Sequence, residues 1–275
     1  MPLTAMRHLR KMRGGAQSHL IQASDGNFYV VKFRNNPQHR RVLINETVAQ
    51  PLLEYLEVPA PAIREVEVTP EFLEANPDVC IQLGDRRIPV EAGWQFGSQY
   101  PGNPEHVVIY DFLPDALLRS VVNLRDFLGA LVFDKWMSNA DGRQSVFWRT
   151  RVTEWAPGRT VAGDAFVALM IDQGFLFNGP HWEFSDAPLQ GLYHRPLVYE
   201  SVRSLDDFQP WLDRVTYCPP EELDRALRRV PRQWKNGDTE PLEAMLEQLY
   251  RRRRHVADLL TAVRSARPAM FPNWR

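Results

Sequence analysis

Residues 133–145 read FDKWMSNADGRQS, and the stretch changes character at its middle. It ends a mostly apolar run, LRDFLGALVFDKWMSN over residues 124–139, whose spacing predicts a buried helix. Asn123 is the expected cap of that helix, with Asp126 at its third position. From Ser145 onward, SVFWR reads as a strand. Asp141 therefore falls in a polar loop between a buried helix and a strand. A carboxylate so placed can accept a hydroxyl proton, and the nearby side chains of Gln144 and Ser145 can ligate a cation. The same composition also suits a plain connecting loop, because Asn, Asp and Gly favour turns.

On the C-terminal side, AFVALMID predicts a second strand, separated from SVFWR by a loop at WAPGRTVAG, residues 155–163. That strand ends at Asp172, with Gly174 two residues on. This suits a Mg2+-binding carboxylate at the mouth of a cleft, and equally an ordinary strand-ending turn. Beyond it the chain reads as mainly helical, with breaks at Pro196, Pro219-Pro220 and Pro231. Arg251–Arg254 fall in a predicted amphipathic helix over residues 243–263, with Glu243 and Glu247 nearby for pairing. Four successive helical residues point in four directions, so a solvated face is favoured over a nucleic-acid patch.

On the N-terminal side, HLIQAS and FYVVKFR flank an Asp-Gly turn and predict a hairpin. The loop before it offers Gly14, Gly15, Gln17 and Ser18, either as a cradle for phosphate oxygens or as a simple turn. Lys32 sits between Val31 and Phe33 on the second strand. Facing solvent, it needs nothing; facing inward, it needs a partner, and Glu46 on the next predicted helix can be one. That helix, within residues 38–58, carries Pro51, which predicts a kink or two abutting helices. IREVEVT and VCIQL read as short strands around a helical turn at PEFLEAN. Residues 91–105, rich in Gly, Pro and aromatics, read as a long loop. There Trp94, Phe96 and Tyr100 form either a recognition surface or a structural Ω-loop. VVIYDFLP then reads as a strand connecting two lobes.

Composition narrows the classes. The 275 residues carry a formal net charge of −1, which gives no global basic field for nucleic acid. Cys80 and Cys218 stand far apart, without zinc-ligand spacing. No apolar run approaches the ~18 residues of a membrane span. With no secretory leader apparent, the expectation is a reduced, cytoplasmic protein without membrane attachment.

The ordered set GGAQSH, YVVKF, INE, FDKWMSNADGRQ and MIDQGF resembles the HipA-like kinase family, a branch of the protein-kinase-like superfamily. The resemblance implies an α+β, bilobal kinase-like fold, with a β-rich N-lobe over residues 1–112 and a mainly helical C-lobe over 113–275. It implies ATP and Mg2+ as ligands, Lys32 on the nucleotide phosphates, Glu46 as its partner, Asp141 as catalytic base and Asp172 as the principal metal ligand. Ile109 and Asp111, in the connecting segment, are the further candidates for nucleotide contact. A protein Ser or Thr is the implied phosphate acceptor. Some relatives are toxins with a neutralising partner, so a regulatory or antitoxin partner is also implied. The sequence departs from the family at Val146, where relatives usually place a metal-binding asparagine, and at Gly142-Arg143, where they commonly have Arg-His. Gln144, Ser145 or Asn139 are the candidate substitutes. Two alternatives therefore stand beside a protein kinase: a nucleotide-binding pseudokinase, and a lipid or small-molecule kinase.

Overall fold

The alternating apolar residues of HLIQA and FYVVK close a hairpin, and the strands that join it curl into a barrel. The computed structural model describes residues 1–151 and 163–275; most of the loop expected at 155–163 lies outside the described residues. Strands β1 (Leu3–Lys11), β2 (His19–Ala23) and β3 (Phe28–Lys32) come first. Helix α1 (Arg41–Leu56), strand β4 (Ile63–Val68), helix α2 (Pro70–Ala75) and the β5 (Cys80–Leu83)–β6 (Arg86–Pro89) hairpin follow. Strand β7 (Gly93–Gln99) completes a closed barrel in the order β1-β2-β3-β7-β4.

The basic N-terminus, for which the sequence reading gave no strand, forms β1. It pairs antiparallel with β2 and parallel with β4. Within the long loop expected over 91–105, Gly93–Gln99 instead form β7, which pairs with both β3 and β4. Its glycine is a packing requirement. A Cβ at Gly97 would lie 2.7 Å from Val66 Cγ2 and 3.2 Å from the Arg64 carbonyl oxygen. Phe96 and Tyr100 are buried and Trp94 is half-buried, so the three do not form an exposed aromatic patch.

Helix α1 runs unbroken through Pro51, so of the kink and the two abutting helices expected there, the second is corrected. A proline inside a helix costs about 3 kcal/mol. The helix also buries Val42, Leu43, Ile44, Val48, Leu52, Leu53 and Leu56. At about 1.5–3 kcal/mol for each such side chain, burial outweighs the proline.

The second half holds a short β8 (Ile109–Tyr110), α3 (Asp115–Leu118), α4 (Asp126–Met137), β9 (Gln144–Arg151) and β10 (Asp164–Ile171). The strand expected over VVIYDFLP shrinks to the two residues of β8, which pair with Trp148 and Phe147 of β9. Every residue of α4 is buried, as its apolar sequence requires. Asn123 does not cap it. Its side-chain amide instead exchanges two hydrogen bonds with the Ala168 backbone, at 2.9 Å each. Helices α5 (Trp211–Thr216), α6 (Pro220–Arg229), α7 (Arg232–Lys235), α8 (Thr239–Arg252) and α9 (Val256–Ala266) complete the described chain. The helix expected over 243–263 is divided by a 3-10 turn at Arg253–His255. The arginine run divides with it. Arg251 pairs with Glu247, and Arg252 turns inward to the carbonyls of Lys135 and Trp136.

One large apolar core joins α1, α4 and the C-terminal helices, and a second fills the barrel. Among the described residues, no helix is long and apolar enough to cross a membrane.

Candidate active site

Strand alternation sets the roof of the cleft. The register pairs His19 with Val31 and Leu20 with Val30, so Ser18, Val30 and Lys32 share one face. With Phe96 and Ser98 of β7 they line a cavity of about 360 Å³. Gln144 and Val146 of β9, and Ile171 and Asp172 at the end of β10, form the floor. Tyr100, Pro101, Ile109 and Asp111 also line it.

Lys32 joins the two halves of the cleft. Its Nζ lies 2.5 Å from Glu46 Oε1 on α1 and 2.9 Å from Asp172 Oδ1 beyond β10. Lys32 is 8% exposed and Glu46 6%, so each needs the other's charge. Burial alone would lower the Lys32 pKa, but the Glu46 and Asp172 carboxylates outweigh it and raise it above the ordinary lysine value. The Lys32 ammonium, against the opposing pull of burial, holds Asp172 below the usual carboxylate range. Burial pushes Glu46 upward.

Asp172 occupies left-handed backbone, with φ of 60°. That conformation is strained for a residue with a Cβ and persists only where surroundings enforce it. They do so here. A Cβ at Gly174 would lie 2.4 Å from Val42 Cγ1, so only glycine lets α1 come this close. Asn45, beside Glu46, donates from Nδ2 to the carbonyls of Gly174, Leu176 and Gly179 at 2.8–3.0 Å. Trp182 Nε1 donates to Asn45 Oδ1 at 2.8 Å. At the start of α1, Arg40 and Arg41 both pair with Asp238.

Below the cleft, a second buried network fixes the loop of Asp141. Asp134, 1% exposed on α4, pairs with the Arg143 guanidinium through both oxygens. Its Oδ1 also accepts from Asn139 Nδ2 at 2.9 Å. Arg143 Nη1 then donates to the Ile171 carbonyl and to Gln173 Oε1, each at 2.9 Å. One arginine thus ties the loop of Asp141 to that of Asp172. Asp134 and Asn45 were absent from the sequence-level candidates. The signal existed for Asp134, because a charge inside an apolar helix requires a buried partner.

Asp141 itself is exposed. Its Oδ1 accepts from the Gly142 amide at 2.8 Å and its Oδ2 from Gln144 Nε2 at 3.3 Å. Ser145 faces the other side of β9 from Gln144 and Val146, and its buried Oγ has no hydrogen-bond partner among the described residues. Gly14, Gly15 and Gln17 are not among the residues lining the cavity, whereas Arg10, Met12 and Arg13 are. Gln17 reaches the β5–β6 hairpin instead, exchanging two 2.7 Å hydrogen bonds with the Gln82 backbone.

A barrel with one buried Lys–Glu pair, set over a helical half with two loop carboxylates, is a protein-kinase-like arrangement. Solved structures agree at the level of fold. Hydra Fam20, solved with sugar, aligns with a TM-score of 0.55 at 13% identity, over 96% of this chain and 86% of that one. The Golgi casein kinase, solved with Mn/ADP bound, aligns with a TM-score of 0.54 at 12% identity, over 97% of this chain and 73% of that one. The family described as HipA-like kinase matches residues 6–148, and the chain belongs to that family. Its class is therefore that of a kinase-type phosphotransferase. No curated protein matches the chain.

Proposed function

We propose that the protein is an ATP-dependent kinase that transfers the γ-phosphate to a hydroxyl of a protein Ser or Thr. The observation that carries this reading is Lys32, held in the cleft by carboxylates from both sides, with Nζ 2.5 Å from Glu46 and 2.9 Å from Asp172. Phosphoryl transfer asks little covalent work of a protein; it asks for phosphates and metal to be held and the acceptor to be oriented.

The donors suit a hard divalent cation such as Mg2+. Asp172 is ionised and its side chain is 35% exposed toward the cleft. Gln144 offers an amide oxygen on the same floor. A cation held there by Asp172 and Gln144 would offset charge that develops in transfer. Lys32 would contact the phosphates, with Glu46 fixing its position. Asp141 would accept the proton as the acceptor oxygen bonds to the γ-phosphorus. The bond from that phosphorus to the bridging oxygen then breaks, and ADP leaves.

A γ-phosphate transfer assay with Mg2+, reading autophosphorylation and ATP hydrolysis together, tests the reading. Saturating MgATP at about 100 times its Kd should also stabilise the fold by about 2.7 kcal/mol. No thermal shift with MgATP, MgADP or analogues would sink it. A nucleotide-binding regulator that transfers nothing is the second reading. It is favoured by Val146, whose apolar side chain lines the cleft where a ligand is usual in relatives. Binding without transfer would select it.

A further inference from the structure

The cleft is short of anionic metal ligands and carries arginine in their stead. Among the described residues no group of three or more His, Cys, Asp and Glu side chains could hold a metal ion. At the floor, Glu46 is bonded to Lys32, Val146 offers no donor, and Ser145 faces away. Asp172, although it too accepts from Lys32, is the floor carboxylate open to the cleft, and Asp111 lines the same cavity from the connecting segment.

The same cavity is lined by two exposed guanidinium groups, Arg10 and Arg13. Strand register locates them. Arg10 pairs with Leu20, which pairs with Val30. His19 pairs with Val31, so the next row, toward Ser18, is the row of Lys32. Arg10 thus lies two residues from that row, roughly 6–7 Å along the strand, beside the Tyr100 hydroxyl. Arg13 follows β1 in the loop that Met12 closes by donating its amide to the Ser18 carbonyl at 2.8 Å. It belongs to the Lys32 end. Lys32 itself is already compensated by two carboxylates, whereas no ion pair holds Arg13 among the described residues.

We propose that Arg13 binds the nucleotide's terminal phosphates from the roof, with Arg10 behind it, and supplies the positive charge that a second metal ion would bring, so that the site works with one metal. The proposal rests on the ATP reading above. A guanidinium suits the task because its fixed fork donates paired N–H bonds to phosphate oxygens and stays charged at any working pH. The loop then holds phosphate chiefly with a side chain, in keeping with Gly14 and Gly15 standing outside the cavity lining.

Calorimetry on the full chain tests this with MgATP and adenosine as probes, and Mn2+ paramagnetic titration counts the metal. Wild type should bind MgATP and, once ATP is bound, one Mn2+. Arg13→Ala should weaken MgATP by about tenfold or more while leaving adenosine unchanged. Arg13→Lys should recover part of the loss. Val146→Asn should raise the metal count to two and shrink the penalty of Arg13→Ala. If wild type binds MgATP but Arg13→Ala binds it equally well, or if wild type already takes up two Mn2+, the one-metal proposal is wrong and the kinase reading survives. Wild type that binds neither MgATP nor adenosine overturns both.

Discussion

The floor and the roof of the cleft are held together by opposite means. On the floor, the loops of Asp141 and Asp172 are bound through Arg143 and Asp134, both almost fully buried and bonded on every side. On the roof, the segment from Met12 to Ser18 exposes Arg13, Gly14 and Gly15 and is tied by Gln17 to Lys11 and to the Gln82 backbone. Beside it, His19 and His8 share a ring nitrogen contact of 2.9 Å. Rigidity is thus concentrated below the cleft. The loops that carry Asp141 and Asp172 are fixed from below by buried bonds, whereas the segment above is tied mainly by exposed ones and should open more readily.

The sharpest way to probe the floor is chemical. Asp141→Asn should lower phosphate transfer by about 10²–10⁴-fold and leave MgATP binding nearly intact. Asp172→Asn should depress both, because its carboxylate would hold the metal. Calorimetry beside a transfer assay separates the two, and the reverse pattern would mean that the roles are exchanged.

Asp134→Ala tests the clamp itself. It strands the Arg143 guanidinium in a buried site, and removing one partner of such a pair costs about 3–5 kcal/mol. Denaturant unfolding measures it. A loss below about 1 kcal/mol would erase the contrast between floor and roof.

The roof should respond to acid. Burial, with His8 and Lys11 adding to it and Asp78 opposing, lowers the His19 pKa to about 4, and His8 is also lowered by burial. A histidine depressed in the folded state favours folding above its unfolded value near 6.5 and loses that contribution as pH falls toward 4. Between pH 8 and pH 5 the loss from His19 is about 2 kcal/mol. Urea midpoints at the two pH values, compared with those of His19→Asn, isolate it. An equal slope in the variant would assign the acid response elsewhere.

The smallest effect belongs to Gln17→Ala. Its hydrogen bonds are exposed, so stability should fall by about 0.5–1.5 kcal/mol at most, with hydrogen exchange rising in the loop but not on the floor. Protection lost equally on both surfaces would show that they form one cooperative unit.

The same contrast explains what the sequence disclosed. The hairpin of β2 and β3, the helix of Glu46 and the strands around Asp141 and Asp172 announce themselves through local pattern, and the lysine, glutamate and aspartates lie in family order. Strand β7 did not. Its glycines and aromatics mimic a loop, and Gly97 is needed only because Val66 and Arg64, distant in sequence, press against it. Asn123 had the composition of a cap, yet its amide serves the Ala168 backbone 45 residues away. Asn45 likewise gave no local sign of the carbonyls it gathers from beyond Gly174. In the loop before β2, glycine spacing drew attention to Gly14 and Gly15, whereas the residues lining the cavity there are Met12, Arg13 and Ser18.

Helix α1 has one more consequence. It is encoded in the first half of the chain, but Val42, Leu43, Val48 and Leu52 belong to the apolar core built mainly by the second half. Arg40, Arg41 and Asn45 add polar ties in the same direction. Cutting the gene after residue 112 would therefore yield one fragment with a sticky, uncovered helix and another with an open trough. Neither piece should be monomeric and well behaved alone. Co-expressed, they should recombine into a noncovalent heterodimer, with α1 as the part that each half recognises in the other.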